Sequence, residues 1–349
     1  MGVIYSEDYW KDVERIIKFI PNLQQLKNKK ILITGSTGLI GSAVVEVLFY
    51  LNKYNTWNID IVLAARNLDR VEKRFKGFRN NIDFKFVYYD AISTSFDYIE
   101  PVDFIIHGAS PADPVSYTKV PVETMMANIL GVKVLLDYLK GNCMGRLLYI
   151  SSSEVYGKNM KAPYKEDEYG YVDILNSRTC YPSSKRASET LCSAYKAEFG
   201  VDFVIVRPGH IYGPSTRKND SRASAQFMHD ALAKRNIIMK SAGLQLRSYC
   251  YSLDCASAIL AVLLNGNSGE AYNISNPNSI ITIRELADLF AKESGEKIIF
   301  ENPSDVELKG YNLMDNSSLD SYKLESLGWK GCFSALEGVR NTLKYCDYK

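Results

Sequence analysis

The run Ile31-Leu32-Ile33-Thr34-Gly35-Ser36-Thr37-Gly38-Leu39-Ile40-Gly41 constrains this chain more than any other stretch. An apolar strand passes directly into three glycines at three-residue spacing, and then into a helix-forming segment over 42–50. Glycine allows a tight turn and close approach of a phosphate to the backbone. The helix that follows offers free N–H groups and the positive end of its dipole. We read the turn as the first strand–helix unit of a dinucleotide site, with Gly35, Thr37, Gly38, Leu39, Ile40 and Gly41 against the cofactor. Three glycines also suit a plain tight turn, so the flanking pattern decides.

That pattern is alternation. Apolar runs at 60–65, 84–89, 102–107, 147–151 and 203–207 read as strands, and helix-period runs at 122–140 and 183–199 lie between them. The fold class expected is α/β, a doubly wound parallel sheet with helices on both faces. Residues 1–28 read as a helical leader, with Trp10, Val13, Ile16, Ile17 and Ile20 on one face and Pro21 ending it. Residues 29–214 read as the dinucleotide-binding domain. After Pro214 the alternation stops, so 215–349 reads as a smaller C-terminal substrate-binding lobe, with about 254–266 returning to the first domain.

Lys+Arg total 42 against 40 Asp+Glu, which leaves no footprint for nucleic acid or an anionic membrane. Seven cysteines without a CxxC pair predict reduced thiols and a cytoplasmic setting. Glu7, Asp8, Asp12 and Glu14 argue against a signal peptide. Cys255–Leu264 is apolar but far short of the roughly 20 residues of a membrane span. Three histidines and no acidic cluster at ligand spacing predict no catalytic metal.

The second strand ends in Ala65-Arg66-Asn67, where a ribose-binding acid would normally stand. Arg66 suits a 2′-phosphate, so NADP stays open beside NAD. Asp90, after the third strand, suits an adenine amino group or a plain turn. Tyr181 and Lys185 form Y-x-x-x-K, which puts both side chains on one helical face. An ammonium near a phenol lowers the phenol pKa, and this pair is expected to make Tyr181 a base. Some 30 residues earlier, a strand ends in Ser151-Ser152-Ser153-Glu154, whose hydroxyls can meet a substrate beside the tyrosine. His107 reads as packing, His229 as an ordinary helix residue and Cys180 as structural. Glu166, Asp167 and Glu168 read as a solvated loop edge.

With these motifs the sequence resembles the extended short-chain dehydrogenase/reductases, the NAD-dependent epimerases and dehydratases of nucleotide sugars, over about 29–345. GSTGLIG, HGAS (107–110), Asn128 before Ile129-Leu130-Gly131, SSSEVYG, YPSSK, RPGHIYGP (207–214) and LGW (327–329) carry it. Within that family, ASPADP (109–114), residues 166–192, NDSRASAQF (219–227) and RSYCYSLD (247–254) look most like the UDP-glucuronate decarboxylase branch. The resemblance implies a Rossmann fold, NAD, a nucleotide-sugar substrate, a homodimer and a role in polysaccharide precursor synthesis. It implies Tyr181 as base, Lys185 as its partner on the nicotinamide ribose, and Ser152 and Glu154 as catalytic residues. It adds Ala91, Ala109, Asn128, Ser151 and Pro208 to the cofactor set. For the substrate it implies Ser110, Pro111, Glu154, Arg178, His210, Arg222 and Arg247.

The implied chemistry is oxidation at C4 of the sugar, loss of CO2 from the resulting β-keto acid, and return of the hydride. A C4-epimerase and a 4-keto reductase are the alternatives. A 4,6-dehydratase is disfavoured because Ser153 replaces an acid and serine is a poor general acid. His210 stands where the family carries asparagine, and Ser241-Ala242-Gly243 where the decarboxylases carry G-D-G. A non-catalytic cofactor sensor would have no need of Tyr181, Lys185 and Ser152 in register.

Overall fold

The apolar runs at 31–34, 61–64 and 147–150 are continuous because both faces of the sheet are covered there. The computed structural model describes residues 2–78, 83–112, 114–142, 145–159, 161–303 and 314–348; Asp113 of the ASPADP stretch and Cys143 lie outside them. In chain order come β1 (Gly2–Val3), α1 (Glu7–Ile17), β2 (Lys30–Thr34), α2 (Leu39–Asn55), β3 (Asp60–Ala65), α3 (Leu68–Arg74), β4 (Lys85–Tyr88) and β5 (Phe104–His107). There follow α4 (Pro114–Lys119), α5 (Pro121–Asn142), β6 (Arg146–Ile150), α6 (Cys180–Phe199), β7 (Asp202–Pro208), β8 (His210–Tyr212), α7 (Ala223–Leu232), β9 (Ile237–Met239), β10 (Leu246–Tyr251) and α8 (Ser252–Asn265). Last come β11 (Ala271–Ile274), β12 (Ile280–Thr282), α9 (Ile283–Ser294), β13 (Ile298–Phe300), β14 (Asn316–Ser317), a helix at Ala335–Tyr345 and β15 (Cys346–Asp347).

Seven strands form one sheet in the order β11-β7-β6-β5-β2-β3-β4, and every pairing is parallel. Successive side chains along each strand enter opposite cores. Ile31, Ile33, Ile61, Leu63, Leu148, Val204 and Val206 join the core under α1, α2 and α8. Leu32, Val62, Leu147, Phe203 and Ile205 join the core under α5 and α6. β2 lies between β3 and β5, where the winding reverses, so a crevice opens at the C-terminal ends of β2 and β5.

The remaining strands build a smaller layer: β10 pairs with β8, β12 and β14, and β9 pairs with β13. Helix α8 leaves this layer and packs on α2 and on strands β6 and β7. Its buried Asp254 accepts from the Cys332 and Phe333 N–H groups at 2.8 and 3.0 Å and from Asn276 Nδ2 at 3.0 Å. Trp329 Nε1 donates to Ser257 Oγ at 2.9 Å, which docks the LGW stretch on the same helix.

Helix α1 stops at Ile17, earlier than its apolar pattern predicts. The residue before a proline avoids the helical region, so the chain unwinds ahead of Pro21 while Ile20 stays buried. Tyr9 on α1 donates to the buried Glu46 of α2, as does Tyr5 at 3.0 Å, and Arg74 of α3 completes the ion pair at 2.5 Å. The other side of α1 meets the chain's far end. Asp12 accepts from Asn341 and Tyr345, Arg15 pairs with Glu337, and β1 runs antiparallel to β15.

Candidate active site

The glycine turn shows why it tolerates nothing larger. Gly35 has φ +71°, and a Cβ on it would stand 2.6 Å from the Gly108 backbone at the end of β5. A Cβ on Gly41 would stand 2.4 Å from the Gly35 oxygen. Gly38 heads α2 without a side-chain cap, so the N–H groups of that first turn, Leu39 and Ile40 among them, are left for a ligand. Ser36 Oγ, beside Thr37, is buried with no partner among the described residues. Thr34 Oγ1 fixes the crevice floor: it meets His107 Nδ1 at 2.7 Å and accepts the Gly108 and Ala109 N–H groups at 3.2 Å. A tight glycine cradle, an uncapped helix start and an orphaned hydroxyl together fit a dinucleotide pyrophosphate. Arg66 and Asp90 follow β3 and β4, on the opposite side of β2 from β6. Arg66 is exposed, and Asp90 accepts the Ile92 N–H at 3.3 Å as a turn residue. Ala91 lies against Gly131, where α5 approaches β4.

On the other side of the crevice, Tyr181 and Lys185 occupy the first two turns of α6, both buried. Lys185 Nζ donates to the Ile150 oxygen at 2.8 Å and lies 4.7 Å from the Tyr149 ring centroid. Asn128 holds α5 to α6: its Nδ2 donates to Ser184 Oγ at 2.9 Å, and its Oδ1 accepts from Ser110 Oγ at 2.7 Å. Ser110 also reaches the Pro111 oxygen at 3.1 Å. Ser151 directly follows β6 and Pro208 ends β7; Ser151 Oγ is buried and unpartnered among the described residues.

The electrostatics correct one expectation. The Tyr181 phenol is raised rather than lowered. Burial pushes the Tyr181 phenol up to about 12, with Glu154 adding to the rise while hydrogen bonding to Ser152 and Tyr117 opposes it. Burial likewise pulls Lys185 down to about 7. Both groups are desolvated, and desolvation disfavours whichever form is charged.

Glu154 and Arg178 form a bidentate pair at 2.8 and 3.2 Å. The Arg178 guanidinium lies 5.0 Å over the Tyr117 ring, which stacks on Tyr181 at 4.5 Å between centroids. Arg222 is held by Asp220, and Arg247 Nη1 donates to the Leu246 oxygen at 2.9 Å. His210 sits beside Tyr249 with Nδ1 unpartnered among the described residues. Burial, reinforced by Arg247 and Arg222, holds it neutral, its pKa down to about 3.

Sequence reasoning missed Tyr117 and Asp220. Tyr117 reaches Tyr181 only because α4 folds back, and no spacing marks it; Asp220 was legible only as part of the N-D-S-R stretch. Glu166 also departs from expectation: it is half-buried and accepts the Asn273 N–H at 2.8 Å, which makes it a strand anchor rather than a solvated edge. His107 and Cys180 are buried and hydrogen-bonded. Among the described residues, no group of three His, Cys, Asp or Glu could hold a metal, and no helix is long and apolar enough to cross a membrane.

The sheet order and the crevice define a Rossmann-type dinucleotide-binding fold. Residues 31–275 match the NAD dependent epimerase/dehydratase family, and the chain belongs to that family. It is 32% identical over 320 residues to UDP-glucuronic acid decarboxylase 3 of Arabidopsis thaliana, covering 89% of this chain and 87% of that protein. It is 29% identical over 330 residues to UDP-glucuronic acid decarboxylase 1 of Xenopus tropicalis, covering 93% and 73%. Among solved structures, UDP-glucuronic acid 4-epimerase of Bacillus cereus, in complex with UDP-glucuronic acid and NAD, superposes with a TM-score of 0.76. The match is at 24% identity and covers 90% of this chain and 98% of that one. A dTDP-glucose 4,6-dehydratase of Streptomyces venezuelae gives 0.76 at 23%, covering 90% and 96%.

Proposed function

We propose that this chain decarboxylates UDP-glucuronate to a UDP-pentose through a 4-keto sugar. The observation that carries the reading is the meeting of Tyr181, Ser152 and the Glu154–Arg178 pair at one end of the sheet. Relatives about 30% identical over nearly the whole chain support it.

Bound in the glycine cradle, NAD would supply reversible oxidation at the sugar's C4. The residues named above divide the remaining work. Tyr181 takes the C4 hydroxyl proton, and Ser152 orients that hydroxyl. Lys185, fixed on the Ile150 oxygen, holds the ribose side of the pocket. Arg222, Arg247 and neutral His210 bind the diphosphate; guanidinium groups pair with phosphate oxygens in a bidentate manner. Arg178 offers a cation to the glucuronate carboxylate, and Glu154 keeps that cation in place until substrate enters. Loss of CO2 leaves an enolate, which takes a proton at C5.

We further propose a homodimer built on α5 and α6, where Val122, Met125 and Met126 are exposed, and a cytoplasmic setting. Arg66 beside the ribose site keeps NADP as the alternative cofactor.

Incubation with UDP-glucuronate and NAD, followed by mass spectrometry and proton NMR, tests the reading. CO2 release with a UDP-pentose and no net NADH is expected. A UDP-hexuronate inverted at C4 would mean epimerase chemistry, and unchanged substrate would exclude both.

A further inference from the structure

We propose that Asp220 is a positioning residue for the reaction: it takes the side-on edge of the Arg222 guanidinium and turns the end-on edge to the sugar-linked phosphate of the substrate. The inference deepens the proposed function and rests on Arg222 meeting the diphosphate there.

A guanidinium has two edges that can meet an oxyanion bidentately, Nε with one Nη or the two Nη together. Asp220 occupies the first of these on Arg222. Nε donates to Oδ1 at 3.0 Å and to Oδ2 at 3.1 Å, and Nη2 donates to Oδ2 at 2.5 Å. Nη1 makes no hydrogen bond among the described residues, so the end-on edge stays open. The Asp220 side chain is only 11% exposed, which shelters the pair from the screening that weakens surface ion pairs.

The main chain on both sides of the pair is fixed. The Arg222 N–H donates to Asp220 Oδ1 at 3.0 Å, and the Arg222 oxygen accepts the Ala225 and Gln226 N–H groups at 3.0 Å as α7 begins. Gln226 Nε2 donates back to the Asp220 oxygen at 2.9 Å. An arginine has much rotamer freedom to lose, and one already fixed does not lose it on binding. The place is right as well. The Arg222 charge acts on Tyr117 and Tyr181, and together with Arg247 it acts on His210. The guanidinium therefore stands between the base and the residues assigned to the diphosphate, where the sugar joins its phosphate. Ser221 Oγ, buried and unpartnered among the described residues, is a further donor in the same turn.

Calorimetric titration of the full chain, D220N, R222A and the double variant with UDP and UMP tests the role. Asparagine keeps an acceptor for the Arg222 N–H and removes the carboxylate fork. D220N is expected to weaken UDP by about tenfold, the scale of a charge-assisted hydrogen bond, and to leave UMP, which lacks the sugar-linked phosphate, unchanged. Because Asp220 acts through Arg222, the double variant should bind UDP no more weakly than R222A alone. In turnover D220N should raise KM for UDP-glucuronate and keep kcat within about twofold of the parent. UDP binding by D220N within about twofold of the parent, or tighter, would overturn the proposal. So would an equal loss for UMP, or losses that add in the double variant, both of which would mean a displaced loop. A parent chain that binds no UDP, or an R222A variant that binds it as the parent does, would instead refute the diphosphate reading on which the role depends.

Discussion

Replacing Tyr117 by phenylalanine removes one oxygen beside Tyr181 and leaves the packing intact. The rings stack at 4.5 Å with an interplanar angle of 18°, and phenylalanine preserves that contact. The oxygen matters because Tyr181 is so hard to ionise. Burial and Glu154 hold its phenol near about 12, and hydrogen bonding to Ser152 and Tyr117 works against them. A hydrogen bond to a charged oxygen contributes about 1.5–3 kcal/mol, so its loss should lower kcat about ten- to a hundredfold near neutrality. The same loss raises the Tyr181 pKa further, so the acidic limb of the pH–rate profile should move up by about one to two units. The assay is UDP-pentose formation by Y117F and the parent across neutral to alkaline pH, with the melting temperature as a control for folding. An unmoved profile with kcat within about twofold would refute a role for this hydroxyl.

Lys185 supplies a stability test. Its folded pKa, about 7, lies below its unfolded value, so between those values the unfolded chain binds the extra proton and stability rises with pH. The parent should gain about 2 kcal/mol on K185M between about pH 7 and pH 9 in urea unfolding, and a constant difference would mean the lysine is solvated. Glu46→Ala strands the buried Arg74 guanidinium and should cost about 3–5 kcal/mol, whereas a loss under about 1 kcal/mol would mean that water replaces the carboxylate. Arg66→Asp should lower NADP affinity relative to NAD by about tenfold or more; an unchanged ratio of dissociation constants would remove Arg66 from the ribose site.

The sheet was legible because its signals are local. The strand expected at 60–65 forms over those same residues, and the glycine turn opens a helix as its spacing demands. The start of α6 was less legible: the helix begins at Cys180, ahead of its clean apolar period, and so takes in Tyr181. The Y-x-x-x-K spacing placed two side chains on one face, yet their charge states depend on burial in the crevice and on Glu154 and Glu189 nearby, which no spacing encodes. Glu154 and Arg178 were each singled out, but their pairing closes a 24-residue excursion and is a tertiary fact. Tyr117 is the extreme case, a residue whose chemistry arises only from where α4 comes to rest.

The seam between α1 and the chain's far end has a consequence for the order of assembly. Asp12 meets Asn341 across 329 positions of sequence and Arg15 meets Glu337 across 322, while Tyr9 on the same helix reaches Glu46 across 37. During synthesis the Tyr9–Glu46 contact can therefore close early, but the other two must wait until the helix at Ala335–Tyr345 has been made. Helix α1 is thus made early and fully seated late. Until the helix at Ala335–Tyr345 arrives, the far face of α1 is bare, and the cofactor half of the molecule lacks one wall of its final core.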